Sequence, residues 1–186
     1  RTENKRGETM LTLDAFEEAA AKVKEVTQET KLIESPYFSE ISRNRVFFKP
    51  ENMQRTGSYK VRGAYYKIST MSDEERSHGL ITASAGNHAQ GVALAATRRG
   101  IKSVVCMPDG APIMKVESTK NLGAEVCLVP GTYDDAHDKA VELQQETGMT
   151  FIHPYDDEQV IAGQGTIGLE ILDQLPDLDA VIVPVG

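Results

Sequence analysis

An α/β fold of two lobes built on parallel sheets is what this sequence predicts, and three observations predict it. From residue 80 onward, short apolar runs alternate with helical stretches, a rhythm that lays strands parallel and puts helices on the sheet faces. The first three of those helices each run into a glycine, Gly100, Gly123 and Gly148, the residue best suited to the left-handed turn that stops a helix. The last run, Ala180-Val181-Ile182-Val183-Pro184-Val185, is a buried-type strand that enters Gly186. Ligands sit beyond the carboxyl ends of such strands, so the fold is expected to be incomplete at its C-terminus, with a ligand loop still to come. The four short strands between Leu80 and Ile152 are expected to form the smaller lobe, over residues 60–155. Residues 1–59 and 156–186 are expected to belong to the larger one.

Residues 1–10 are polar and read as a disordered leader. Thr12 is placed to cap a helix whose Leu13, Phe16, Ala20 and Val23 recur on one face. Ser35-Pro36 breaks that pattern, and residues 45–50 read as a short strand stopped by proline. The alternation then gives strand 80–83, helix 87–99, strand 103–107, helix 112–122, strand 125–129, helix 132–146, strand 150–152, helix 158–174 and strand 180–185. Asp134, Asp135 and Asp138 open a helix, where carboxylates complement the helix dipole, and this accounts for them without a metal. Gly163, Gly165 and Gly168 have helical flanks, so they read as points of close packing rather than as a dinucleotide-binding loop.

Composition narrows the function. With 20 basic and 28 acidic residues the net charge is −8, which disfavours nucleic acid or an anionic membrane as the main partner. No apolar run approaches the roughly 20 residues of a membrane span, and residues 1–8 lack the apolar core of a secretory signal. Cys106 and Cys127 lie in apolar, strand-like runs and read as two buried thiols in a reducing cytoplasm. No Cys/His spacing resembles a zinc site. His78, His137 and His153 have no partner visible in the sequence and read as structural.

The chemistry is concentrated in two segments. Lys60 sits in Ser58-Tyr59-Lys60-Val61-Arg62-Gly63-Ala64. A lone lysine is ordinarily a solvated surface charge, but a lysine whose pKa is depressed forms Schiff bases near neutral pH, and the like charge of Arg62 is expected to help depress this one. The second segment is Thr82-Ala83-Ser84-Ala85-Gly86-Asn87-His88-Ala89-Gln90-Gly91. A strand-turn-helix connection capped by Ser84 or Asn87 explains part of it. Beyond that, the Asn87 amide can bond a cofactor oxygen, and the N–H groups at the helix start can hold a carboxylate. An amine beside an anion-binding turn points to an amine-processing site that uses pyridoxal 5'-phosphate (PLP).

These two segments, with Val160-Ile161-Ala162-Gly163-Gln164-Gly165-Thr166-Ile167-Gly168-Leu169-Glu170-Ile171, resemble the threonine dehydratase (threonine ammonia-lyase) family, PLP enzymes of the tryptophan-synthase-β fold type. The resemblance runs from Leu11 to Gly186. It implies that Lys60 carries the cofactor as a Schiff base and removes the substrate α-proton. It implies that Tyr59 packs near the cofactor ring, that Asn87 bonds the ring hydroxyl, and that Ser84, Ala85, Asn87 and His88 surround the substrate carboxylate. Gly186 corresponds to the first residue of the glycine-rich loop that holds the cofactor phosphate. The implied reaction is deamination of L-threonine, and of L-serine, by β-elimination of water to give 2-oxobutanoate or pyruvate and ammonia. The implied partners are a small amino-acid substrate and further copies of the chain, as a dimer or tetramer.

Two alternatives stay open in the sequence. One is a serine dehydratase or racemase on the same fold. Racemases of this family carry a serine directly before the Gly-Asn pair, where this chain has Ala85; a methyl group exchanges no proton, which favours elimination. His88 disfavours the cysteine synthases, which resemble Ser-Gly-Asn-Thr there, and His153-Pro154-Tyr155-Asp156 resembles the dehydratase pattern. The other alternative is a non-catalytic portion, because only Gly186 of the phosphate loop is present; the 186 residues alone are expected to be inactive.

Overall fold

The computed structural model describes residues 11–184. The leader expected over 1–10, and Val185 and Gly186, lie outside the described residues. The elements are α1 (Leu13–Val23), β1 (Ile33–Glu34), α2 (Pro36–Ser42), β2 (Phe47–Phe48), a 3-10 turn at Glu51–Met53, α3 (Lys60–Thr70), α4 (Asp73–Ser77), β3 (Leu80–Ala83), α5 (Asn87–Arg98), β4 (Ser103–Pro108), α6 (Ile113–Asn121), β5 (Glu125–Val129), α7 (Tyr133–Thr147), β6 (Thr150–Phe151) and α8 (Glu158–Gln174).

The sheet has the strand order β5-β4-β3-β6, and every pairing in it is parallel. Side chains on a strand point alternately to opposite faces. Val104 and Cys106 of β4 therefore join Ile81 and Ala83 of β3 against Ala136 and Ala140 of α7. Val105 and Met107 face the other way, onto Ala89 and Ala93 of α5 and Val116 of α6. Small residues on α5 and α7 let these helices lie close to the sheet. Cys106 and Cys127 are direct register neighbours and remain free thiols, the first buried and the second half-buried. Burial and the neighbouring thiol push Cys106 up to about 12, so it is not a nucleophile near neutral pH.

β3 connects to β4 on one side, while β6 lies on its other side. The chain thus changes direction across the sheet beside β3. Beyond the carboxyl ends of β3 and β6 is the crevice where α/β sheets bind ligands.

α3 packs between α5 and α8, and glycine permits the second contact. A methyl group at Gly163 would lie 2.7 Å from the Arg62 carbonyl oxygen and from Gly63 Cα, and one at Gly63 would lie 2.7 Å from the Val160 carbonyl oxygen. Gly165 lies against the Phe16 ring, whereas Gly168, expected to serve the same purpose, faces open space. The Arg62 side chain is fully buried and bridges two carboxylates. It donates to Glu51 at 2.8 Å through both Nε and Nη2, and to Glu170 at 2.6 and 2.9 Å through Nη1 and Nη2.

Several expectations are corrected. The buried face of α1 is Ala19 and Val23 with Phe16 beside them, while Leu13 is 61% exposed. Residues 16, 19 and 23 form the stripe that meets Tyr66 and Ala162, and Leu13 lies off it. Ser35-Pro36 starts a helix rather than breaking one: Ser35 Oγ accepts from Phe38 N at 3.4 Å, and proline suits the first helical position, where no N–H is needed. The strand read at 45–50 is only β2, and it pairs antiparallel with β1 outside the parallel sheet. Over 180–184 no strand forms. Val181, Ile182 and Val183 are exposed, and an extended segment becomes a strand only when a neighbour completes its hydrogen bonds.

Candidate active site

Lys60 opens α3, directly behind Tyr59 at the N-cap. α5 presses on its backbone: a methyl group at Gly91 would lie 3.1 Å from the Lys60 carbonyl carbon and oxygen. Helix α5 and the lysine are thereby held at a fixed separation by a residue with no side chain. Lys60 Nζ donates to the Pro154 carbonyl at 2.8 Å and lies 5.7 Å from the centre of the Tyr59 ring. Burial lowers the lysine pKa from its ordinary value, because desolvation disfavours the ammonium. Arg62 plays no part in this, contrary to the expectation; its guanidinium is committed to Glu51 and Glu170 on the other side of the helix start.

Pro154 is presented by the segment that leaves β6. Ile152 N donates to the Ile81 carbonyl at 2.9 Å. The Ile152 carbonyl in turn accepts from Thr82 Oγ1 at 2.8 Å and from His88 Nε2 at 3.0 Å. His153 Nδ1 accepts from the Asp156 and Tyr155 amides at 2.7 and 3.3 Å, closing the turn around Pro154. His153, read as structural, shapes the segment that holds the lysine.

His88 is buried, and burial holds its pKa down at about 4. Its ring is neutral at pH 7. Because Nε2 faces a carbonyl it carries the proton, which leaves Nδ1 as an acceptor without a partner. Ser84 follows β3; its amide donates to the Cys106 carbonyl at 3.1 Å and its Oγ accepts from Gly86 N at 3.2 Å. Ala85 is half-buried in the same turn. Asn87 is exposed at the start of α5 and accepts from Lys115 Nζ at 2.9 Å.

The structure therefore gathers Lys60, Tyr59 and His88 around the segment 152–154, with the Ser84–Asn87 turn at the adjoining strand end. Gly186 lies outside the described residues. Pro154, Ile152, Gly91 and Lys115 were not found by sequence reasoning. The first two act through backbone carbonyls, which no residue type announces. The residues fit a PLP cofactor by their chemistry: a desolvated amine, an aromatic ring beside it, a helix N-terminus open to an anion, and a buried imidazole nitrogen without a donor. Among the described residues no cluster of His, Cys, Asp and Glu is arranged to hold a metal ion. No helix among them is long and apolar enough to cross a membrane.

The family model for pyridoxal-phosphate dependent enzymes matches residues 23–186. The chain belongs to that family. Among its relatives, the L-threonine ammonia-lyase of Thermotoga maritima is 50% identical over 177 residues, covering 95% of this chain and 44% of that protein. Among solved structures, the processed form of threonine deaminase isoform 2 from Solanum lycopersicum superimposes with a TM-score of 0.87 at 41% identity, over 96% of this chain and 50% of that one. Maize serine racemase gives 0.88 at 36% identity, over 92% and 52%. The chain spans about half the length of the relatives it matches. The α/β fold with a parallel sheet is the one that these PLP-dependent enzymes share.

Proposed function

We propose that this PLP-dependent enzyme deaminates L-threonine, and L-serine by the same chemistry, through β-elimination of water, giving 2-oxobutanoate or pyruvate and ammonia. The observation that carries the reading is a desolvated amine with no carboxylate partner among the described residues, Lys60 Nζ, at the switch point of the sheet, beside a turn whose residue 85 is alanine. The similarity to threonine ammonia-lyase and threonine deaminase supports it.

Bound PLP supplies an electron sink for the charge that develops at the substrate α-carbon. Lys60 would hold the cofactor through Nζ, and the same amine, when neutral, would take the α-proton. Its lowered pKa raises the neutral fraction that can act as a base. Tyr59 would lie beside the cofactor ring, and Asn87 would donate to its ring hydroxyl. The Ser84–His88 turn, with Ala85 and Asn87, holds the substrate carboxylate at the N-terminus of α5, where free N–H groups and the helix dipole favour an anion. By the family resemblance, Gly186 would begin the loop that holds the cofactor phosphate. Lys60 takes the proton from Cα and returns it to the departing hydroxyl as the Cβ–O bond breaks, so that the hydroxyl leaves as water; the enamine product tautomerises to an imine, which takes up water and releases ammonia.

Serine racemisation is the second reading, favoured by the likeness to maize serine racemase and opposed by Ala85, which offers no second acid or base. The two-lobed division, with residues 60–155 as the smaller lobe, belongs to the same proposal, as does assembly into a dimer or tetramer. The free thiols Cys106 and Cys127 suit a reducing cytoplasm. The test is product analysis with L-threonine and L-serine for the protein and its Lys60→Ala variant. We expect 2-oxo acid and ammonia from the parent, and from the variant neither product nor the visible absorbance of lysine-bound PLP. Turnover by Lys60→Ala with that absorbance intact would remove Lys60 from its role.

A further inference from the structure

We propose that Lys115 is a positioning residue for cofactor binding: it fixes the orientation of the Asn87 amide, so that the amide nitrogen rather than the oxygen is presented to the site. The inference rests on the reading that Asn87 meets the cofactor's ring hydroxyl.

Lys115 is the third residue of α6, in a first turn that carries no acidic residue. A cation there opposes the positive end of the helix dipole. Among the described residues it has no ion-pair partner to offset this. Its one side-chain bond reaches across to α5, where Nζ donates to Asn87 Oδ1 at 2.9 Å. An asparagine amide has two faces of nearly equal shape, one an acceptor and the other a donor of two hydrogens. An ammonium can only donate, so the atom it meets must be the oxygen. The nitrogen is then turned the other way, without a partner among the described residues. A ring hydroxyl that ionises needs a donor, and an amide turned about would offer it a second negative oxygen. The Lys115 bond removes that wrong orientation before the cofactor arrives, which is preorganisation in the ordinary sense. α6 is held in place independently of this bond. Val116 is buried in the cluster that holds Ala89 and Ala93 of α5 and Val105 and Met107 of β4.

The experiment measures PLP dissociation by titrating the visible absorbance, together with circular dichroism in the cofactor band, for the holoenzyme and for Lys115→Met, Lys115→Arg, Asn87→Ala and the Lys115→Met/Asn87→Ala double variant. Asn87→Ala is expected to weaken PLP binding about tenfold, as for one hydrogen bond to a charged oxygen. Lys115→Met is expected to weaken it about three- to tenfold and to alter the circular dichroism band, Lys115→Arg to restore both, and the double variant to match Asn87→Ala alone. The inference is overturned if Lys115→Met binds PLP as the parent does while Asn87→Ala does not. It is also overturned if the two losses add, since Lys115 then acts as a charge on its own. If Asn87→Ala itself binds PLP normally, the reading of Asn87 fails and the inference falls with it, an outcome distinct from a failure confined to Lys115.

Discussion

Acid should destabilise this fold through His88. Burial holds the imidazole pKa at about 4 against 6.5 for a free histidine, and the neighbouring charges of Lys60 and His153 push in the same direction. Only the bond to the Ile152 carbonyl opposes them. The native state therefore keeps His88 neutral while the unfolded chain takes up a proton as the pH falls below about 6.5. Stability is full above that value and is lost as pH falls towards 4, because the unfolded state binds more protons throughout this window. The difference in pKa corresponds to about 3 kcal/mol over the whole window and about 2 kcal/mol by pH 5. Carboxylates titrate in part over the same range, so the measurement is a comparison with His88→Gln, whose amide can still donate to the Ile152 carbonyl and carries no titrating group. Urea midpoints at pH 7, 6 and 5 give the two slopes. From pH 7 to pH 5 the parent should lose about 2 kcal/mol more than His88→Gln. Parallel slopes would refute the reasoning and mean that the ring is protonated, or solvated, in the native state.

Three further outcomes follow from the packing and the site. Gly163→Ala should destabilise the fold by about 1–3 kcal/mol by overpacking against the backbone of α3, whereas Gly168→Ala, in open space on the same helix, should stabilise it by about 0.5–1 kcal/mol; equal shifts in thermal midpoint would contradict this account of the α3–α8 contact. Arg62→Met should cost about 3–5 kcal/mol, since Glu51 loses its guanidinium partner and Glu170 keeps only Lys49, and a urea midpoint close to the parent's would count against it. Ala85→Ser should raise D-serine formation from L-serine relative to 2-oxo acid formation, which chiral chromatography of the reaction mixture measures; an unchanged yield of D-serine would weigh against a role for residue 85 in choosing the reaction.

The parallel sheet was legible because its strands are short apolar runs and the helices α5, α6 and α7 between them each run into a glycine. α3 was not. Its Gly63, its β-branched Val61 and Ile68 and its Tyr65-Tyr66 pair are poor helix formers, and the helix exists because both its sides are buried against α5 and α8. Arg62 misled for the same reason: sequence gives its distance along the chain from Lys60 but not the helix turn that points it at two carboxylates. The roles of Ser84 and His88 as hydrogen-bonded members of the strand end could be expected from their place in the turn. Lys115 could not, because it approaches Asn87 from a separate helix 28 positions further along the chain.

The bonds that gather the site are all long in sequence. Thr82 reaches Ile152 across 70 residues, His88 reaches it across 64, and Lys60 reaches Pro154 across 94. A chain emerging during synthesis cannot close any of them until residue 152 has appeared, and each carries the loop-closure entropy of a long separation. The α3 and α5 helices can associate earlier, so Lys60 is expected to be set on its helix first and enclosed last. On the role proposed for Lys60, cofactor capture is then a late event in folding, and the half-made protein passes through a stage in which Lys60 is an ordinary, hydrated amine.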